Sequence, residues 1–245
     1  MISADIGAAL ALLTRLPLPR HATLPLGPAS AWAWPLAGAL VGGLAALAAT
    51  LALALGLAPG ITAAIVLATQ AMITGAMHED GLADSADGLW GGWDKTRRLA
   101  IMKDSHIGSY GVLALILSCL ARWSALVLVL AQGAHWPVLI AAGALSRVPM
   151  VLILAGLPNA RGNGLSHATG RPSLATAALA TVIGLAVTLT LCGVASLAMA
   201  TAAAIACLGL AFLAKARIGG QTGDILGASQ QLAEVSALAL AAAAL

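Results

Sequence analysis

The sequence predicts an all-α, polytopic integral membrane protein, a helical bundle of about seven transmembrane helices with its N-terminus in the cytoplasm. Three observations predict it. Of 245 residues, 60% are hydrophobic and only 9% charged, with a mean hydropathy of +0.97, whereas soluble domains carry about 25% charged residues. Apolar stretches long enough to cross a hydrocarbon core, which takes about 20 residues as a helix, recur along the whole chain. Lys and Arg outside those stretches fall only in every second connection between them, the pattern of a cytoplasmic side.

Taken in order, residues 1–13 form a short amphipathic segment whose apolar run, 6–13, is bracketed by Asp5 and Arg15. No basic region precedes it, so it is expected on the membrane surface rather than as a cleaved signal. Crossings are expected at 32–57, 59–77, 111–131, 136–157, 173–192, 194–214 and 229–245. Gly56-Leu57-Ala58-Pro59-Gly60 and Gln132-Gly133-Ala134-His135 join the first and second pairs as tight outer hairpins without Lys or Arg. The division near Gly193 is the weakest, because only small residues interrupt the run from 173 to 213, yet forty apolar residues suffice to cross twice. Trp32, Trp34 and Trp136, at span starts, suit an aromatic belt.

The opposite connections carry the charge. Arg15 and Arg20 precede the first span, Lys95, Arg97, Arg98 and Lys103 follow the second, Arg161 and Arg171 follow the fourth, and Lys215 and Arg217 follow the sixth. These basic residues are scattered in ones and twos despite a net charge of +3, which excludes the clustered patch of a nucleic-acid binder. Membrane lipid is the medium instead. Cys119, Cys192 and Cys207 lie in apolar runs with no metal or redox spacing and read as packing residues. The longest stretch between apolar segments runs from 78 to 110, too short for a soluble domain with its own core. One membrane-embedded domain, 1–245, is therefore expected.

The acids are concentrated. Glu79, Asp80, Asp84, Asp87, Asp94 and Asp104 make six of the nine, all at or just beyond the cytoplasmic end of the second span. If its helix continues past Met77, Asp80, Asp84 and Asp87 recur at i, i+4 and i+7 and share one face. Like charges so close repel and raise one another's pKa unless a cation neutralises them; all-oxygen ligands favour Mg²⁺ or Mn²⁺. Gly81, Gly88, Gly91, Gly92, Gly108 and Gly111 surround the acids, where close approach to a ligand is a better reason for glycine than helix stability. Asp94, before Lys95-Thr96-Arg97, reads as a helix N-cap, and His78 as a base, a ligand or a hydrogen-bonding partner.

Two further polar loops occupy the same side, residues 159–171 with Arg161, and residues 219–228 with Asp224. Arg122 and Arg147 sit near the middle of spans, where a charge costs about 2.5–3.5 kcal/mol on insertion scales and calls for a partner or a cavity. Pro149, two residues after Arg147, is expected to break its helix and open a polar site.

The string His78-Glu79-Asp80-Gly81-Leu82-Ala83-Asp84-Ser85-Ala86-Asp87-Gly88 is followed by Gly91-Gly92, Arg98, Ile101-Met102-Lys103-Asp104-Ser105 and Ile107-Gly108-Ser109-Tyr110-Gly111. With Leu13-Thr14-Arg15-Leu16-Pro17-Leu18-Pro19, Ser146-Arg147, Arg161 with Gly164-Leu165, and residues 219–228 with Glu234, it resembles cobalamin synthase, the adenosylcobinamide-GDP ribazoletransferase family, over nearly the whole chain. The Asp84-Ser85-Ala86-Asp87-Gly88 core is also similar to the CDP-alcohol phosphotransferases, but the Ala-Arg pair that should follow the glycine is missing.

The resemblance implies transfer of the adenosylcobinamide phosphoryl group from adenosylcobinamide-GDP to α-ribazole 5′-phosphate, or to α-ribazole, with release of GMP, in the bacterial inner membrane. It implies Mg²⁺ as cofactor and residues 78–110 as the catalytic cytoplasmic loop. On this reading Asp80, Asp84, Asp87 and Asp104 hold the metal, and a carboxylate or His78 takes the proton of the attacking hydroxyl. Arg98, Lys103, Arg147 and Arg161 neutralise phosphates, and Asp224 binds a second metal or the acceptor. A homo-oligomer and association with other membrane enzymes of the pathway are compatible with the resemblance, and no sequence feature bears on either. The competing class is a transporter or ion carrier with an acidic cation site; that would show paired sites in two halves, and the chain has a single acid cluster.

Overall fold

The computed structural model describes residues 2–18 and 27–245; Pro19 and Arg20 of the sequence reading lie outside them. The chain runs α1 (Ile2–Leu13), a 3-10 turn (Pro28–Ala33), α2 (Trp34–Ala54), α3 (Pro59–Thr74), α4 (Met77–Gly91), α5 (Lys95–Ile101), α6 (Ser109–Ala131), α7 (His135–Gly156), α8 (Leu165–Thr169), α9 (Leu174–Cys192), α10 (Ala195–Ile218) and α11 (Gly223–Ala243). Six helices are long and apolar enough to cross a membrane: α2 with its 3-10 entry, α6, α7, α9, α10 and α11. The seventh expected crossing corresponds to the bent pair α3–α4, in which the 16 residues of α3 span about 24 Å at 1.5 Å per residue.

At the end of α3 the chain turns by 90° into α4, so the acids ride on a separate polar helix set across the end of α3. Gly75 (φ 68°) and Ala76 (φ 55°) make the turn, and the Ala76 amide closes it by donating to the Ala71 carbonyl at 2.7 Å. Among the described residues Ala76 is the one non-glycine with positive φ, a conformation that costs an L-residue about 1–2 kcal/mol.

α7 and α11 form the centre. α7 is buried along most of its length and packs against α2, α9 and α11. Small residues set the closest approach: a Cβ on Gly38 or Gly42 of α2 would overlap the carbonyls of Gly143 and Leu139 of α7, the device by which membrane helices pack without a hydrophobic driving force. Pro149 does not break α7, which stays helical from His135 to Gly156; neighbouring helices tolerate the lost amide. Trp34 is 2% exposed, so it belongs to the core and not to an interfacial belt, whereas Trp136 stays exposed. α1 packs against the 3-10 turn and α2, with the Trp32 indole N–H donating to Asp5 at 3.0 Å. Gly193 (φ 55°) divides α9 from α10. α11 begins six residues earlier than the apolar run suggests, at Gly223, and takes Asp224 into its first turn.

Candidate active site

All the polar connections lie at one end of the bundle, and α4, the 159–171 loop and the start of α11 meet there. Glycines make the meeting possible. A Cβ on Gly81 would lie 2.8 Å from the Asp224 carbonyl, and one on Gly227 would lie 3.3 Å from the Gly81 Cα, so α4 and α11 touch backbone to backbone. The first turn of α11 is capped by Thr222, whose hydroxyl accepts from the Ile225 amide at 3.3 Å. The two polar loops are sewn together by a parallel bridge: the Ala160 amide donates to the Gln221 carbonyl, and the Gln221 amide to the Pro158 carbonyl, both at 2.8 Å. Asn159 Oδ1 accepts from the amides of Arg161 and Gly162, at 3.1 and 2.7 Å. That turn aims Arg161 at Asp224, and the two pair at 2.9 Å.

Asp80 and Asp84, one turn apart on α4, face this pair. The Asp84 carboxyl is half-buried and pushed up to about 7, first by burial, then by the charges of Asp80 and Asp224, against a smaller opposing pull from Arg161. Three acids and one base thus occupy one small region, and its unbalanced negative charge is what a cation would relieve.

Asp87 and Asp104 are placed elsewhere. Both oxygens of Asp87 accept backbone amides at the start of α6, Gly108 at 2.7 Å and Gly111 at 2.9 Å, satisfying donors that a helix N-terminus leaves unpaired. A Cβ at Gly111 would fill the carboxylate's position, which accounts for that glycine. Asp104 is exposed and pairs with His106 at 2.7 Å; the pairing holds the Asp104 carboxyl below, and the His106 imidazole above, their usual ranges. Asp87 and Asp104 border a separate cavity of about 300 Å³ at the α4–α6 junction. Among the described residues no three His, Cys, Asp or Glu side chains close on one ion. Asp94 caps α5, accepting from the Arg97 amide at 2.9 Å.

The basic residues also separate. Arg98 donates to the Arg217 carbonyl at 3.2 Å, and Arg217 to the Leu89 carbonyl at 3.0 Å, tying α5 and α4 to α10. Lys103 is exposed. Arg147 is 2% exposed inside the bundle; it lies 3.5 Å from Glu234 and donates to Ser146 at 2.9 Å. Arg122 lies 3.4 Å from Glu79 and 3.9 Å from Glu234. Gln231 donates to Glu79 at 3.1 Å and Gln230 to Ser146 at 3.2 Å, and Gln230 also reaches Glu234. Sequence reasoning placed Glu234 deep in the last span but did not pair it or Glu79 with these arginines. The pattern Gln230-Gln231-Glu234, polar at helical spacing in an apolar span, is the signal for it. His78, 1% exposed, sits where α4 meets α11, its ring nitrogens without a partner.

Fold and site together define a polytopic membrane protein with an anionic centre at the charged end of its bundle. The chain belongs to the cobalamin-5-phosphate synthase family, which it matches over residues 5–242. It is 44% identical to an adenosylcobinamide-GDP ribazoletransferase of Bradyrhizobium diazoefficiens, over 99% of this chain and 94% of that protein. A protein of the same name from Mesorhizobium japonicum is 43% identical over 98% of this chain and 93% of its own length. No solved structure matches the chain.

Proposed function

We propose that this chain is an adenosylcobinamide-GDP ribazoletransferase, which moves the adenosylcobinamide phosphoryl group from adenosylcobinamide-GDP to α-ribazole 5′-phosphate or α-ribazole and releases GMP. The carrying observation is 44% identity to a relative of that name along nearly the full length of both chains. In the reaction a ribose hydroxyl oxygen attacks phosphorus, a new P–O bond forms, and the P–O bond to GMP breaks. The hydroxyl proton passes to a carboxylate of the anionic centre.

Mg²⁺ fits the donor set. Asp80, Asp84 and Asp224 offer oxygen ligands only, and their crowding raises Asp84, so a divalent cation offsets a repulsion already present. As they stand these side chains do not close on one ion, and they are proposed as its ligands by donor type and shared charge; the carboxylate of Asp87 is engaged by amides and that of Asp104 by His106. Bound there, Mg²⁺ would neutralise charge developing on the departing GMP. Arg98 and Arg161 each keep a buried Nε–H without a partner, donors suited to phosphate oxygens, and Lys103 adds an exposed positive charge. Arg147 also keeps an unpartnered Nε–H, but it is held inside the bundle by Glu234 and Ser146 and is left out of the proposed set.

The charged end is assigned to the cytoplasmic side of a bacterial inner membrane, because Lys and Arg are retained there. An impermeant thiol reagent should then label a cysteine placed at Asn163, but not one at Gly133, in inverted vesicles. The reaction is tested by GMP release from detergent-purified protein with and without Mg²⁺, for the wild type and Asp84→Asn. Folded wild type that releases no GMP with any divalent cation would overturn the assignment.

A further inference from the structure

α1, the α3–α4 bend and α8 enclose a crevice of about 250 Å³ bordered by Thr14, Arg15, Thr74 and Leu165. Leu12, Met77 and Leu165 are shared with a smaller cavity of about 40 Å³, whose wall includes Trp34, His78 and Ser166. Trp34 and His78 are 2% and 1% exposed, and neither the indole N–H nor either imidazole nitrogen has a hydrogen-bond partner. Polar groups buried in this way are rare unless something answers them, and a phenylalanine or leucine at either position would fill the same space. They come from α2 and α4, so tertiary structure, not local sequence, brings them to one wall. At the crevice's border Arg15 is fixed by its own backbone, its amide donating to the Ile73 carbonyl at 2.6 Å. Its side chain lies against Gly75, and among the described residues no carboxylate stands within 4.0 Å of it.

We infer that this crevice seats the acceptor, with the Trp34 indole N–H donating to the free ring nitrogen of its heteroaromatic base and Arg15 meeting its 5′-phosphate; the inference rests on the proposed transferase reaction. The chemistry matches at the indole and at the guanidinium. A benzimidazole joined to ribose through one ring nitrogen keeps a lone pair on the other and no N–H, and the Trp34 indole is a donor only. The small cavity takes the edge of such a ring, and the larger crevice takes its body. Arg15, the cation on its border, suits a phosphate. His78 is two residues before Asp80, and Gly227, which packs on the His78 backbone, is three residues after Asp224. The wall and the anionic centre thus share the α4–α11 contact.

The test uses the full chain in nanodiscs, with adenosylcobinamide-GDP as donor and α-ribazole 5′-phosphate or α-ribazole as acceptor. Arg15→Gln should reduce the preference for the phosphorylated acceptor about tenfold. Trp34→Phe keeps the ring but removes its donor; it should raise the KM of both acceptors about tenfold while the donor's KM moves less than about twofold. Titrating α-ribazole 5′-phosphate into the protein without donor should show the same weakening. Arg15→Gln that leaves the acceptor preference unchanged, or Trp34→Phe that binds acceptor as the wild type does, overturns the crevice while the reaction stands. If Trp34→Phe does not fold, the exposed Arg15 decides alone. Wild type that makes no product from either acceptor overturns the reaction itself.

Discussion

Two clusters of charge lie within a few turns of each other on α4 and α11, built from the same residue types, and they differ in balance. Glu79 and Glu234 face Arg122 and Arg147 deep in the bundle, two acids against two bases, with Gln230, Gln231 and Ser146 taking up further hydrogen bonds. Nearer the charged end, Asp80, Asp84 and Asp224 share one close base, Arg161. The first set is closed on itself and holds four helices together. The second leaves negative charge over, the imbalance on which the proposed cation site rests. A glutamate inside a membrane helix and an aspartate at its mouth thus serve different ends because of what stands opposite them.

The comparison breaks most sharply if one member of the closed set is removed. Arg147→Met leaves Glu234 buried without its closer partner and should cost about 3–5 kcal/mol, read as a fall in thermal stability in detergent; adding Glu234→Gln should recover part of it. In the open set, Asp84→Asn should lower kcat/KM about 100-fold or more with little change in melting temperature. The opposite result, a large loss of stability and small loss of rate, would make the acids structural.

A pH titration sharpens the contrast. The folded carboxyl of Asp84 is raised to about 7 from an ordinary value of 3.8, so without metal its contribution is most favourable below the ordinary value. That contribution is lost as pH rises through about 7. On the proposed site Mg²⁺ would compete with the same proton, so its affinity by calorimetry should rise between pH 6 and 8 in the wild type (a window on the order of one unit either side of the raised value) and stay flatter in Asp84→Asn. Asp87→Ala should cost about 1–2 kcal/mol through the loss of the α6 cap while leaving Mg²⁺ affinity nearly unchanged. The smallest effect belongs to Asp104→Asn, which should return the His106 imidazole toward its ordinary value in a proton NMR titration.

Much of the fold is legible in the sequence because lipid imposes one rule on every span. The expected crossings fall within a few residues of the helices, except where Asp224, Gln230, Gln231 and Glu234 dilute the start of α11. What the sequence hides is tertiary. Spacing puts Asp80, Asp84 and Asp87 on one face of α4, but nothing local reveals that Gly108 and Gly111 come to claim Asp87, or that Asp224 joins the other two. The bend at Gly75–Ala76 is hidden too, because alanine there gives no sign of a left-handed turn. Trp34 at a span start reads equally as belt or core, and Pro149 as a break or as a tolerated gap; packing against neighbouring helices decides both.

The deep ion-pair set also bears on how the protein is made. Glu79, Arg122 and Arg147 leave the ribosome well before Glu234, which arrives only with the last span. From residue 147 until residue 234 is added, about a third of the chain, the growing protein therefore carries two buried arginines against one glutamate, and each unanswered charge costs about 2.5–3.5 kcal/mol in the bilayer. α11 is the keystone of assembly: a nascent chain halted before it holds a charge in lipid that nothing in the chain balances, a ready mark for membrane quality control.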